Sequence, residues 1–321
     1  MVKTMAEEKK TGTTEQITDI RAFASAVKQI LEQTNPSVIV EIHEVSKNNS
    51  LKQTCIAIQE KDRNIAPTIY LEEFFGAYRD GKPLDEICRV IEEIHRKASP
   101  EKNFDTGSIA EFSSVKDKIC YKLVNAEKNA DRLKEVPHRL WQDLAVVYFV
   151  PVSIGSVYEV SSFMVGNGMM EKWGVDEDTL YEHARMNTPV LFNAEILSMA
   201  EVVKNMFREM AGAEGEMAAE DLGNMQQLYI ATNDRRVNGA IVMLYDGMLE
   251  KIAGQIGGSF YILPSSIHEI ICQPVLPSSD GHRMVELVRN VNASGRVAPE
   301  EVLSDNVYIY HAGDGSITLI G

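Results

Sequence analysis

The stretch Val237–Pro274, VNGAIVMLYDGMLEKIAGQIGGSFYILPSSIHEIICQP, carries the clearest punctuation in the chain. Ala240 to Leu244 is a continuous apolar run, which reads as a strand covered on both faces. Asp246 follows in a position to cap a helix by accepting from its free amides. Leu249, Ile252, Ala253 and Ile256 recur at helical spacing. Gly257 and Gly258 stop that helix, because glycine adopts the left-handed C-terminal conformation without a Cβ clash. Phe260 to Leu263 forms the next strand, Pro264 ends it, and a tight turn leads to a strand at Ile270. Upstream, Leu228 to Thr232 reads as a strand pairing with 237–244 around Asn233-Asp234-Arg235-Arg236, so the local order is ββαβ.

Working outward, an amphipathic helix is predicted from Ile17, with Ile20, Phe23, Ala24, Val27, Ile30 and Leu31 on its stripe and Asn35-Pro36 ending it. Val38–Val45 and Leu51–Gln59 form a hairpin in which His43 lies on the polar face. Phe74, Phe75 and Tyr78 make an aromatic patch suited to core filling. Pro83 opens a helix with the stripe Leu84, Ile87, Ile91, Ile94 and Ala98, closed by His95 as a charge partner of its C-terminus. A polar linker over 99–108 and a helix over Val115–Val124 follow. Leu144–Pro151 is a second apolar strand, turning into a hairpin with Val157–Val160. Asp176 caps the next helix, and a further helix spans Asn193 to Met210. The acidic, Gly- and Ala-rich 212–223 reads as a loop. A helix over His282–Asn292, a helical turn over Pro299–Leu303 and a hairpin around Asp314-Gly315 close the chain. The order ββα recurs near Val38, Leu144 and Leu228. The expected class is α+β, with mixed or antiparallel sheets built from ββα-type units. Residues 1–14 are expected to be a disordered lead, 15–130 an N-terminal α+β region and 131–321 a C-terminal one.

Composition narrows the function classes. A chain of 321 residues with a formal charge of -15 favours solubility. It disfavours a nucleic-acid or anionic-membrane surface, which needs clustered Lys and Arg. The N-terminal MVKTMAEEKKTGTTEQ has no apolar core for a signal peptide, and no run of about 20 apolar residues could span a bilayer. The expected location is the cytoplasm, with no membrane and no direct nucleic-acid partner. Cys55, Cys88, Cys120 and Cys272 form no CxxC pair and read as buried thiols.

Three clusters could carry chemistry. The segment Pro264-Ser265-Ser266-Ile267-His268-Glu269 offers Ser265 or Ser266 as nucleophile and His268 as base. No Gly-x-Ser-x-Gly elbow presents either serine. His268-Glu269-x-x-Cys272 resembles a metalloprotease motif, but it needs a helix and Pro274 leaves too little room for one, so no metal and no cofactor is expected. The plain alternative is a turn capped by Ser266 and Glu269. His138 and Asp143, beside Trp141, could form an acid/base pair or a solvated lead into a strand. Arg235 and Arg236 could grip an acidic group. Gly254–Gly258 follows a helix instead of preceding one and is no phosphate loop. Among 14 methionines, those at 164–170 and 199–210 could form an adaptable surface or fill gaps.

The segments IAPTIYLEEFF, YRDGKPLDEI, VKDKICYKLVNAEKN, DLAVVYFVPV, MEKWGVDEDTLYEHARMN, NGAIVMLYDGMLEKIAGQIGGSFYILPSSIHEI and LSDNVYIY run from Ile65 onward. Together they resemble an uncharacterised bacterial family related to YtpQ-like proteins, a domain of unknown function. The resemblance implies a cytoplasmic bacterial α+β protein and no assigned activity. The functional expectation is a non-enzymatic protein-interaction or regulatory module with a protein or peptide partner. The alternatives are a hydrolase with its site near Ser265, Ser266, His268 and Glu269, and an acidic nucleic-acid mimic.

Overall fold

A computed structural model describes residues 17–321 except 62, 64–65, 99–105 and 212–227. The expected lead at 1–14, most of the linker at 99–108 and the loop at 212–223 lie outside the described residues, as do the side chains of Met206 and Met210. The fold is α+β. The described chain divides into two compact units, residues 17–46 with 52–98, and residues 47–51 with 106–321.

In the first unit, helix α1 (Ile20–Thr34) starts where the Asp19 side chain accepts from Ala22 N at 3.0 Å. It buries Phe23, Ala24, Val27 and Leu31. Strands β1 (Val38–Ser46), β2 (Lys52–Glu60) and β3 (Thr68–Tyr70) form an antiparallel sheet in that order. Helices α2 (Glu72–Arg79) and α3 (Leu84–Ala98) complete the unit. The core joins the α1 stripe to Val40, Ile56, Ile58, Leu71, Ile87 and Ile91. Phe75 and Tyr78 tilt onto Phe23 at 5.3 and 5.5 Å between centroids, so the aromatic patch fills core.

The second unit begins with a short helical turn α4 (Phe112–Val115) and strand β4 (Cys120–Asn125). The helix expected over Val115–Val124 is therefore mostly strand. Tyr121 and Leu123 face the main core while Cys120 and Val124 face the other side, and six positions pair with the next long strand. After the turn α5 (Ala130–Leu133), strands β5 (His138–Trp141), β6 (Leu144–Ile154) and β7 (Val160–Met164) close a four-stranded sheet with β6 at its centre. Residues 144–150 of β6 are buried throughout, because both faces of that sheet are covered. Helices α6 (Asn167–Trp173) and α7 (Glu177–Leu191) follow, the latter capped by Asp176 accepting from Thr179 N at 2.9 Å.

A six-stranded antiparallel sheet holds the rest. Strand β8 (Ala194–Ser198) occupies the start of the helix expected from Asn193, which begins only at α8 (Met199–Ala211). Ala194 and Ile196, two residues apart, pack against the main core, and residues 194–198 pair with β9 (Tyr229–Asn233) over five positions. The other side of β9 pairs with a later strand, β11 (Ile270–Pro274). With both edges of β9 taken, the apolar run at 240–244 has no strand to join, and Gly239–Leu244 winds instead into a buried 3-10 helix. The hairpin expected at Asn233–Arg236 is absent for the same reason.

Helix α9 (Met248–Ile256) ends at Gly257 with φ 86. Its N-terminus is Gly247 with φ 71. Asp246 does not cap it; the carboxylate is turned to Arg185 at 2.6 Å. Strand β10 (Phe260–Leu263) pairs with β11, and helix α10 (Gly281–Ala293) precedes the hairpin β12 (Val307–Tyr310) and β13 (Ile317–Ile320). The sheet order is β13-β12-β10-β11-β9-β8. One face packs into the main core through Ala231, Phe260, Ile262, Ile270, Cys272 and Tyr308. On the other, α10 lays Val285 and Val288 over Tyr261, Leu263 and Val307.

Candidate functional site

Beside the part that α10 covers, the outer face of β9 and β11 floors a cleft of about 700 Å³ in the second unit. Its apolar lining includes Ile230, Ile271, Met199, Val237 and Val297. Ile230 and Ile271 are direct cross-strand partners. The polar lining includes Thr232, Ser266, His268, Glu269 and Glu301, with Arg236 and Arg296 adding two cations. Tyr158 borders it from the β6–β7 turn, in a left-handed conformation with φ 66.

Three of the residues singled out in the sequence, Ser266, His268 and Glu269, meet here. They come from an irregular loop, 264–269, held on both sides by backbone hydrogen bonds. Ala240 N donates to Ile267 O at 3.1 Å from the 3-10 helix. Ile267 N donates to Glu301 O at 2.8 Å and Leu303 N to Ser265 O at 3.2 Å on the opposite flank. Ser266 bridges to Val302. Ser266 caps a tight turn, as the plain alternative has it, with His268 N donating to its hydroxyl at 3.0 Å, while the backbone groups of the loop bond these outside partners. No helix joins His268 to Cys272, which lies buried in β11. Ser265 contributes its carbonyl to that frame, and its side chain is not among those lining the cleft.

Close approach makes the frame. A Cβ on Gly239 would lie 2.2 Å from Thr232 Oγ1 and 2.3 Å from the His268 carbonyl, so the 3-10 helix reaches the loop only because residue 239 lacks one. Just before it, Arg236 and Asn238 hold φ of 57 and 52, the left-handed region that non-glycine residues rarely adopt. Thr232 Oγ1 donates to His268 O at 2.7 Å.

One ring nitrogen of His268 is hydrogen-bonded and the other faces a carboxylate. Asn238 N–H donates to Nδ1 at 3.3 Å, and Nε2 lies 3.4 Å from Glu301 Oε1. An accepting Nδ1 places the proton of the neutral ring on Nε2, facing the carboxylate. The Ser266 hydroxyl accepts from His268 N at 3.0 Å and bonds the Glu269 carboxylate. No Ser–His ring contact exists among the described residues, so the loop lacks the nucleophile–base pair that the sequence leaves open. Burial pushes the Glu269 carboxyl up from the usual carboxylate range, against the opposing pull of His268, Ser266 and Arg236.

His138 and Asp143 are not brought to this cleft, nor to each other. The Nδ1 of His138 lies 3.0 Å from Val136 O. Asp143 accepts from Ser304 Oγ at 2.6 Å, from Asn306 Nδ2 at 3.0 Å and from the Tyr308 hydroxyl. That network fixes the loop between Val302 and β12. Arg235 and Arg236 also part company. Arg235 donates to Gly155 O at 3.0 Å and its own carbonyl accepts from Tyr158 N at 2.9 Å, which holds the β6–β7 turn. Arg236 faces the cleft, 3.4 Å from Glu195. The sequence reading missed Glu301, Arg296 and Tyr158. Gly295, left-handed with φ 72 just past α10, is the one local signal that the chain turns back at Arg296.

No group of three or more His, Cys, Asp or Glu side chains among the described residues could hold a metal ion. No helix among them is long and apolar enough to cross a membrane. A family described as being of unknown function, DUF5688, matches residues 20–312, and the chain belongs to it. The match carries the family and not the resemblance to YtpQ-like proteins. No curated protein and no solved structure matches the chain.

Proposed function

We propose that this member of DUF5688 is a non-enzymatic interaction module, and that the β9–β11 cleft of its second unit seats a small segment or ligand from its partner. The observation that carries this reading is that His268 Nδ1 accepts from the Asn238 amide and Nε2 faces the Glu301 carboxylate, while the Ser266 hydroxyl is bonded to His268 N and Glu269, so no serine is paired with the ring. A catalytic base needs a free nitrogen within reach of a nucleophile's proton. What the cleft leaves for a visitor is apolar floor and charged rim, the usual make-up of a recognition site. Its volume falls within the roughly 300–1,000 Å³ typical of small-ligand pockets. The buried, disulfide-free Cys55, Cys88, Cys120 and Cys272 suit work in the reducing cytoplasm of a bacterium.

The test compares partners captured from the host by the wild-type chain and by Ile230→Arg, which fills the cleft with a charged side chain. A protein or small molecule retained by the first and lost by the second supports the reading. Identical recoveries, or none, would remove it. Turnover in a hydrolase screen that Ser266→Ala abolishes would put the hydrolase reading in its place.

A further inference from the structure

The charges around the cleft do not all cancel. His268 pairs with Glu301 and Arg236 with Glu195. Arg296 and Glu269 remain, and among the described residues neither has an ion-pair partner. They differ in setting. Arg296 is exposed on the turn after α10, free to reorient, whereas Glu269 is half-buried with only the Ser266 hydroxyl bonded to it. A partly desolvated carboxylate that feels Arg236 and the His268 ring only from beyond ion-pair distance gains further when a visitor supplies a cation in contact. The same cleft is lined by Ile230, Ile271 and Val297, which offer it an aliphatic surface.

We propose, building on the binding role above, that the cleft recognises a zwitterion with an apolar side chain, either a free amino acid or a short peptide. Its ammonium meets Glu269, its carboxylate meets the Arg296 guanidinium, and its side chain lies on Ile230 and Ile271. Guanidinium and carboxylate match as a two-pronged pair, and an ammonium is the compact cation that a half-buried carboxylate can accept. The balanced rim, two arginines against two glutamates, disfavours a purely anionic or purely cationic ligand of similar size. The raised Glu269 carboxyl is in keeping, since a bound ammonium would draw it back down.

The experiment titrates the full chain calorimetrically with leucine, leucyl-leucine and leucyl-leucyl-leucine, each also N-acetylated and, separately, C-amidated. The free and peptide forms tell the two sources apart. At least one zwitterion should bind, and removing either of its charges should weaken binding by about tenfold or more. Glu269→Gln should erase the penalty for acetylation but keep that for amidation, and Arg296→Gln should do the reverse. That crossed pattern cannot arise from a general loss of structure. Capped peptides binding as tightly as free ones would overturn the zwitterion while leaving the binding role intact. Failure of every free form to bind would also overturn it, and partner capture would then judge the binding role separately.

Discussion

In the first unit a cleft of about 630 Å³ places His95 Nε2 3.3 Å from Glu60. In the second, a cleft of about 700 Å³ places His268 Nε2 3.4 Å from Glu301. The pairs match in chemistry and differ in support. His95 sits in the last turn of α3 and Glu60 at the end of β2, both regular elements, and the His95 side chain is 11% exposed. His268 and Glu301 sit on loops, and the His268 side chain is 26% exposed. The first pair ties a helix end to a sheet, where the helix dipole already favours a cation. The second is assembled from segments that make few regular backbone bonds of their own, so it depends on close approach and side-chain hydrogen bonds. A histidine–glutamate contact alone therefore says little about function; the backbone that presents it decides whether it holds a fold together or lines a surface for recognition.

The largest expected effect tests that dependence. Gly239→Ala should destabilise the second unit by about 3 kcal/mol or more, because the added Cβ meets backbone and a fixed hydroxyl. Gly76→Ala in α2 of the first unit meets nothing within 4 Å and should stabilise by about 0.5–1 kcal/mol. Urea titrations of both variants would break the comparison if the two shifts had the same sign.

Next comes the loop between Val302 and β12. Asp143→Ala strips an acceptor from Ser304, Asn306 and Tyr308, of which Ser304 and Tyr308 are fully buried, and should cost about 2–3 kcal/mol. If Asp143 were half of an acid/base pair, its loss would leave stability almost unchanged.

The histidines themselves come third. His95→Ala should lower stability by about 1–2 kcal/mol, and His268→Ala by about 1 kcal/mol or less while weakening whatever the cleft holds. Equal stability losses, with binding untouched by the second, would erase the distinction between the two sites.

The smallest effect is one of pH. The Glu269 carboxyl is raised in the folded chain above its ordinary value of 4.5, so the folded state holds its proton longer than the unfolded one. Stability must then fall as pH climbs from about 4.5 through the raised value. Glu269→Gln removes that fall, so the variant should gain on the wild type across this window and stay ahead at neutral pH. Unfolding midpoints measured at pH 4 and pH 7 check the sign; a variant that loses ground between them would contradict it.

Regular elements with one buried face were legible before any coordinates. The α1 stripe, the β1–β2 hairpin, α3, β6, the Asp176 cap, the Gly257 stop and the final hairpin each declare themselves through spacing or a residue with a single backbone use. Continuous apolar runs were legible only as buried. Leu144–Val150 became the centre of a sheet and Ala240–Leu244 a 3-10 helix, because a run without alternation carries no period. The availability of a partner edge settled the matter, and that belongs to the sheet as a whole. Residues 194–198 and 120–125 became strands for the same reason, against local readings as helix.

The candidate site divides along the same line. Ser266, His268 and Glu269 stood out as neighbours on the chain, and the cleft keeps them together. Glu301, Arg296 and Arg236 join them only because the 264–269 loop lies between two distant segments, bonded to both. By itself the sequence determined which apolar runs are buried, where most helices and hairpins begin and end, and which short segment is chemically rich. The tertiary structure alone decided that His268 lies between the Asn238 amide and the Glu301 carboxylate, that Asp143 serves a loop, and that Arg296 and Glu269 line one cleft. The physical reason is range: periodicity and caps act within a few residues, whereas hydrogen-bond partners and unpaired charges are fixed by contacts between segments that the chain order does not make neighbours.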